Sequence, residues 1–131
     1  MNQKNQPILN EAMRYVDNAV DILSEKAGKD EGFYVDRKYV RMAGNTLWNG
    51  VLEALNHRFP DLKKAKGRPD INKYKELVSK ENKKMLNHLM TGYNYMHLLM
   101  GYDGDLSYQT SRIAIDEAQK LIAWAASDGV N

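Results

Sequence analysis

Apolar residues recur at spacings of three and four along most of the chain, a pattern that places them on one face of an α-helix. Over residues 8–26 this face consists of Ile8, Ala12, Tyr15, Ala19, Ile22 and Leu23. Pro7 suits the start of such a helix because its missing N–H would be unpaired there anyway. Gly28 can adopt the left-handed conformation that ends one. The pattern therefore predicts a first helix over residues 8–26.

A second helix is predicted over residues 37–59. Asp36 can cap its first N–H groups, and Pro60 stops it. Its apolar face consists of Val40, Ala43, Leu47, Val51, Ala54 and Leu55. Gly44 and Gly50 each weaken a helix by about 1 kcal/mol relative to alanine. Their presence indicates either the close approach of a neighbouring helix backbone or two tolerated weak positions.

A long third helical stretch is predicted over residues 71–100, with Asp70 as its cap. Thirty residues is long for a globular helix, and residues 79–82 are its least apolar part, so we expect a break there. Residues 85–100 are apolar around much of the helix circumference. This part is therefore predicted to be the most buried helix of the protein.

The last predicted helix follows a turn at residues 102–105, is capped by Asp105 or Ser107, and ends near Ala126. No run of residues shows the alternation typical of a strand. We therefore expect an all-α fold, with residues 1–131 forming a single domain. Its architecture is predicted to be a four-helix up-and-down bundle with a kinked or broken third helix.

Composition excludes several classes of site and location. The chain has no cysteine, which excludes disulfides, thiolate metal sites and cysteine nucleophiles. No run approaches the roughly 18 apolar residues that a membrane span requires. The first residues, before Pro7, lack the apolar stretch of a secretory signal. We therefore expect a cytoplasmic protein that does not associate with membranes.

The net charge is +2, but the charge is unevenly distributed. Residues 61–84 carry nine basic and four acidic side chains, whereas residues 85–131 carry two basic and five acidic ones. The basic run from Lys63 to Lys84 could contact nucleic acid. It has no interleaved aromatic residue besides Tyr74, so a solvated face is the favoured interpretation and nucleic acid is not an expected partner.

The three histidines give little sign of catalysis. His88 and His97 are nine residues apart on one predicted helix and face opposite ways, so they cannot share a metal. His97 falls on an apolar stripe with Met90, Tyr93 and Met100, which favours a hydrogen-bonded core histidine over a catalytic one. No metal-binding or cofactor-binding motif is present. We expect no metal, no cofactor and no catalytic residues.

A polar stripe on the second helix is the strongest candidate binding feature. Arg37, Arg41, Asn45 and Asn49 lie four residues apart, with Trp48 beside them. Such a donor-rich row could bind an anion or the carboxylate of a partner. Alternatively, it is the solvated face of the helix, with Asp36 or Asp103 as an internal counter-charge. Arg41 is expected to be partly buried, and if its partner is internal, that partner is expected to be Asp103 or Asp105.

Residues 32–55, together with residues 100–104, resemble a family of short, uncharacterised bacterial helical proteins. That resemblance spans most of the chain and implies no function. More distantly, the helix order is similar to the HEPN superfamily, whose active ribonucleases carry a histidine four to six residues after an arginine. No arginine here has a histidine at that spacing. A HEPN relationship would imply a catalytically silent module that binds nucleotide or RNA.

The favoured interpretation is a non-enzymatic module that binds another protein or a second copy of itself. Its candidate binding residues are Arg37, Arg41, Asn45, Trp48, Asn49 and His97. Self-association is expected because the apolar surplus of residues 85–100 would otherwise be exposed, and homodimers are the commonest way to cover such a surface. The alternative is the silent HEPN-like nucleotide-binding or RNA-binding module.

Overall fold

The computed structural model describes residues 5–64 and 69–127 of the chain, without the side chains of residues 63 and 64. Within these residues the fold consists of five α-helices, one π-helix, a short 3-10 helix and a small hairpin. The α-helices are α1 (Gln6–Glu25), α2 (Arg37–Arg58), α3 (Ile71–Glu81), α4 (Lys83–Gly92) and α5 (Tyr108–Ala125). The π-helix is Tyr93–Tyr102 and the 3-10 helix is Pro60–Lys64. The prediction of an all-helical fold is confirmed.

The helix boundaries follow from local capping chemistry. Asp36 and Asp70 accept hydrogen bonds from the backbone N–H of Lys38 and Lys73, and so cap α2 and α3. Ser107 caps α5 by accepting from the N–H of Gln109. Gly28, with a φ of +72°, provides the left-handed residue after α1. The start and end signals in the sequence were therefore correct to within one or two residues.

The predicted third helix is interrupted at Asn82. The extended backbone of this residue ends α3, and its side chain caps α4 by accepting from the N–H of Met85. The expected break near residues 79–82 is confirmed. The stretch beyond it is not a single α-helix, however, because α4 continues directly into the π-helix at Tyr93.

A hairpin joins α1 to α2, which corrects the expectation that the chain has no strand. Strand β1 (Lys29–Asp30) pairs with β2 (Phe33–Tyr34) in antiparallel register, Lys29 opposite Tyr34. Phe33 also bridges to Ser107, which ties the hairpin to the start of α5. Strands of two residues are too short to produce an alternating pattern, so no strand was predicted there.

One continuous core fills the space between α1, α2, α5 and the α4–π-helix segment. Its largest fully buried apolar side chains are Leu47, Leu55, Leu89, Met96, Met100, Leu121, Ile122, Val40, Val51 and Val78. Nine buried residues come from α2 and nine from α5, against five from residues 83–102. The prediction that residues 85–100 form the most buried helix was therefore wrong. The central helices are α2 and α5.

Candidate functional site

The polar stripe of α2 lies against the carboxyl end of the π-helix. Arg37 donates from Nη1 to the carbonyls of Gly104 and Asp103, at 3.1 and 3.4 Å. Arg41 donates from Nε to the carbonyl of Tyr102, at 3.1 Å. Asn45 donates from Nδ2 to the carbonyl of Gly101, at 3.3 Å. Donors spaced four residues apart on α2 therefore reach the four successive carbonyls of residues 101–104, at and just beyond the carboxyl end of the π-helix.

These side chains supply hydrogen-bond donors at the carboxyl end of the π-helix, where the last carbonyls have no partner within the helix. The carbonyls of Leu98, Leu99 and Met100 accept from the backbone N–H groups of residues 103–105. Those of residues 101–104 are the ones that the α2 side chains satisfy. The positive charge of two arginines also suits the partial negative charge at a helix carboxyl end.

Two expectations about this stripe were wrong. Arg41 is exposed rather than partly buried, and its partner is a backbone carbonyl rather than a carboxylate. Asp105 instead accepts hydrogen bonds from the N–H of Ser107 and the hydroxyl of Thr110. A sequence shows which residues carry carboxylates, but not which backbone carbonyls lack a hydrogen-bond partner. For this reason a carboxylate was predicted as the acceptor for Arg41. Asn49 is exposed on the same helix.

The helix contact beneath the stripe is unusually close. A Cβ added at Gly44 would lie 2.5 Å from Cβ of Met100 and 2.6 Å from the carbonyl oxygen of Met96. A Cβ added at Gly101 would collide with Oδ1 of Asn45. Of the two interpretations of Gly44, the close backbone approach is the correct one. Gly50 allows a similar approach to α1, next to Tyr15.

The other two candidate residues, Trp48 and His97, meet in a cleft of about 260 Å³ between α2, the start of α3 and the π-helix. The described residues that line it are Trp48, Leu52, Pro69, Asp70, Ile71, Tyr74, Tyr93 and His97. Ligand pockets of drug-like size measure roughly 300–1,000 Å³. This cleft is therefore suited to a single side chain or a very small molecule.

The rings of Trp48, Tyr93 and His97 form one side of this cleft. The centroids of Trp48 and Tyr93 are 5.3 Å apart, with the rings nearly perpendicular at 75°. His97 lies 5.2 Å from Tyr93 and 6.2 Å from Trp48. Distances of this size are typical of favourable edge-to-face and offset ring contacts. The π-helix places Tyr93 and His97 four residues apart on the same side, towards α2.

The π-helix also changes which residues face the core. Within residues 92–102 the buried positions are Gly92, Met96 and Met100, exactly four residues apart. Met90, which the α-helical pattern placed on one stripe with His97 and Met100, is 47% exposed. The predicted stripe assumed α-helical geometry throughout. Because the wider π-helix turns less per residue, the stripe does not continue across Gly92.

The start of α3 provides the opposite side of the cleft. The hydroxyl of Tyr74 donates to Oδ1 of Asn56, at 2.7 Å, which fixes its ring against α2. Asp70 is exposed at the rim, where its Oδ1 caps Lys73 N at 3.1 Å. Sequence reasoning assigned Asp70 only a capping role and gave Tyr74 no role in a site. Their proximity to Trp48 depends on the packing of α3, which no local motif signals.

A hydrogen-bonded pair between α4 and α5 was also missed. Nδ1 of His88 donates to Oε2 of Glu117 at 2.7 Å, joining α4 to α5. The two side chains are 23% and 11% exposed. The helical pattern placed His88 on a polar stripe, and the sequence does not reveal that α5 covers this stripe. His57 is exposed and donates from Nε2 to Oδ1 of Asn5.

Several sequence predictions concern other parts of the chain. Residues 65–68 of the basic run, and the side chains of Lys63 and Lys64, lie outside the described residues. Among the helices of the described part, none combines the length and apolar character needed to cross a bilayer. Of the large apolar side chains in residues 85–100, Met90 and Leu98 are exposed. The apolar surplus that motivated the expected dimer is therefore smaller than predicted.

Comparison with known proteins places the chain among proteins without an assigned function. Residues 8–127 match the model of a family described as a domain of unknown function, DUF5618. No curated protein matches the chain. A solved structure of a protein of unknown function from Dyadobacter fermentans is 39% identical, with a TM-score of 0.85. That match covers 93% of this chain and 95% of the other.

Proposed function

The chain belongs to the DUF5618 family, and from its own geometry we propose that it is a non-enzymatic module that binds another protein. The site of binding is the cleft formed by Trp48, Tyr74, Tyr93 and His97. The observation that carries this proposal is a concave surface with a volume close to that of one side chain, walled by aromatic rings. Such rings supply much of the binding energy at protein interfaces.

The stripe of α2 is not assigned the binding role in this proposal. Arg37, Arg41 and Asn45 already donate to backbone carbonyls of the π-helix, and a ligand would have to replace those bonds. Instead, the stripe fixes the carboxyl end of the π-helix, whose amino end carries Tyr93 and His97. Arg37, Arg41 and Asn45 thus support the cleft indirectly, while Trp48 and His97 line it.

Two tryptophans make the proposal testable in one experiment. The indole of Trp48 lies in the cleft, whereas that of Trp124 packs against Phe59 and beneath Arg58, 4.2 Å from the guanidinium carbon. We expect the indole N–H signal of Trp48, but not that of Trp124, to shift when N-acetyl amino-acid amides are titrated into the protein. Each of these amides carries one amino-acid side chain and therefore imitates a single residue of a protein partner. If none of them moves the Trp48 signal, the cleft is not a binding site.

Self-association is a second candidate, favoured by the outward side of the hairpin. Phe33 and Val35 are 54% and 63% exposed, while Tyr34 between them shares a hydrogen bond with Ser111. Phe33 and Val35 therefore place two exposed apolar side chains at the end of β2. We expect sedimentation equilibrium to show a dimer that Phe33→Ser with Val35→Ser dissociates and Met90→Ser does not. A monomer at every concentration would exclude this function.

A further inference from the structure

We propose that the side chain received by the cleft is a lysine, bound through its ammonium group, either unmodified or methylated. This inference rests on the proposed function and adds the chemistry of the ligand. It begins with the lining, which combines four aromatic residues with one carboxylate. None of the described residues lining the cleft is a lysine or an arginine. Among the described lining residues, Asp70 therefore supplies an acidic group that no lysine or arginine opposes.

The rings provide the first half of the recognition. The face of an aromatic ring carries partial negative charge and attracts a cation within about 6 Å of its centroid, most strongly for tryptophan. Trp48 and Tyr93 stand at 75° to each other with centroids 5.3 Å apart. Two nearly perpendicular rings at this separation can contact one alkylammonium group together. Leu52 and Ile71 offer apolar surface for the methylene groups of a lysine side chain.

Asp70 provides the second half. Its capping bond to Lys73 N uses Oδ1, and a carboxylate has about four acceptor positions on its two oxygens. Its full negative charge exceeds the charge of about +0.5 at the amino end of α3. At this point of the rim the carboxylate therefore outweighs the helix end. An anionic ligand would meet this carboxylate, which disfavours a nucleotide in the same place.

The test compares a cation with a neutral molecule of the same shape. Tetramethylammonium chloride and 2,2-dimethylpropanol are titrated into the full chain at constant ionic strength, with the indole signals of Trp48 and Trp124 as readout. We expect tetramethylammonium to bind about tenfold more tightly, the ratio that a cation–π contribution of this kind produces. N-acetyl-lysine methylamide and its trimethylated form then distinguish a lysine side chain from a free ammonium ion.

Three variants assign the preference for a cation to individual residues. Asp70→Asn retains a good helix cap while removing the charge, so the affinity for tetramethylammonium should fall about fivefold and that for the alcohol should not change. Tyr93→Leu should weaken cation binding, and Tyr93→Phe, which keeps the ring face, should restore it. These variants avoid Trp48, which is only 6% exposed and contributes to the core.

The outcomes separate this inference from the proposed function. If the alcohol shifts Trp48 as strongly as the cation, or if Asp70→Asn has no effect, the cleft binds side chains but does not select a cation, and the inference is overturned. Binding of adenosine monophosphate in preference to the cation would also overturn it and would favour the nucleotide-binding alternative. If no probe shifts Trp48, both the inference and the proposed function fail.

Discussion

Arg41 donates a hydrogen bond from its Nε to the backbone carbonyl of Tyr102, 3.1 Å away, across the contact between α2 and the π-helix. The acceptor is a main-chain atom at a helix end, so the pair exists only because the two helices approach closely. Gly44 permits that approach one turn further along α2. The arginine and the glycine are therefore parts of one packing arrangement, and each can be tested separately.

Arg41→Ala should destabilise the fold by about 1 kcal/mol, the typical net value of one hydrogen bond in an exposed setting. Thermal unfolding would show this as a loss of a few degrees in Tm. Arg14→Ala is the control, because Arg14 forms only an exposed pair with Glu11 and should have little effect. A Tm that rises on removing Arg41 would indicate an uncompensated charge, and would make Arg41 a candidate for ligand binding.

Gly44→Ala should destabilise the fold by about 1–3 kcal/mol, since the added methyl group would overpack the contact with Met96 and Met100. Helix propensity alone predicts the opposite sign, a gain of about 1 kcal/mol. Asn49→Ala, at an exposed position of the same helix, should be neutral or slightly stabilising. Urea unfolding of the two variants gives the comparison, and a stabilised Gly44→Ala protein would contradict the close contact.

The His88–Glu117 pair should be energetically coupled. Either His88→Ala or Glu117→Ala leaves a partly buried polar group without its partner, at a cost of about 1–3 kcal/mol. A double-mutant cycle should give a coupling above about 0.5 kcal/mol. The exposed pair Lys120–Asp116 is the matched control, for which we expect almost no coupling. Strict additivity at His88 and Glu117 would mean that the bond contributes nothing.

The stability of α3 should depend weakly on pH through Glu76. Its hydrogen bond to the Lys80 ammonium, together with the charge of Lys73, lowers the pKa of Glu76 below its ordinary value of 4.5. A lowered folded-state pKa gives a stabilisation that is present above 4.5 and is lost as the pH falls through the lowered value. Glu76→Gln should remove this part of the acid sensitivity. Unfolding curves of both proteins on either side of pH 4.5 would test it, and identical pH dependence would refute it.

The sequence predicted those parts of the fold that local chemistry determines. Asp36, Asp70 and Gly28 mark helix ends through bonds or backbone angles that lie within a few residues. Asn82 likewise breaks the third helical stretch by its own side-chain cap. These features need no knowledge of the tertiary structure, because capping is a short-range interaction.

The parts that the sequence did not predict depend on distant segments. The apolar spacing did not distinguish the π-helix from an α-helix, because the spacing of four between its buried residues also occurs in α-helices. The sequence placed His97 on an apolar stripe and Trp48 beside the polar stripe of α2. The cleft that brings these two residues together also needs Asp70 and Tyr74 from the start of α3. The arginines were singled out correctly as donors. Their acceptors could not be named, because every residue has a carbonyl and only the packing decides which ones are unsatisfied.

Helix α3 contributes few buried side chains to the core. It buries only Tyr74 and Val78, and it is linked to α2 by the Tyr74–Asn56 bond and by the 2.7 Å ion pair between Glu81 and Arg58. In hydrogen-exchange terms, such a helix should open as a unit of its own at a lower free energy than the global unfolding of α2 and α5. Because Asp70, Ile71 and Tyr74 travel with it, each opening event would remove one wall of the cleft and admit molecules larger than the closed form can hold.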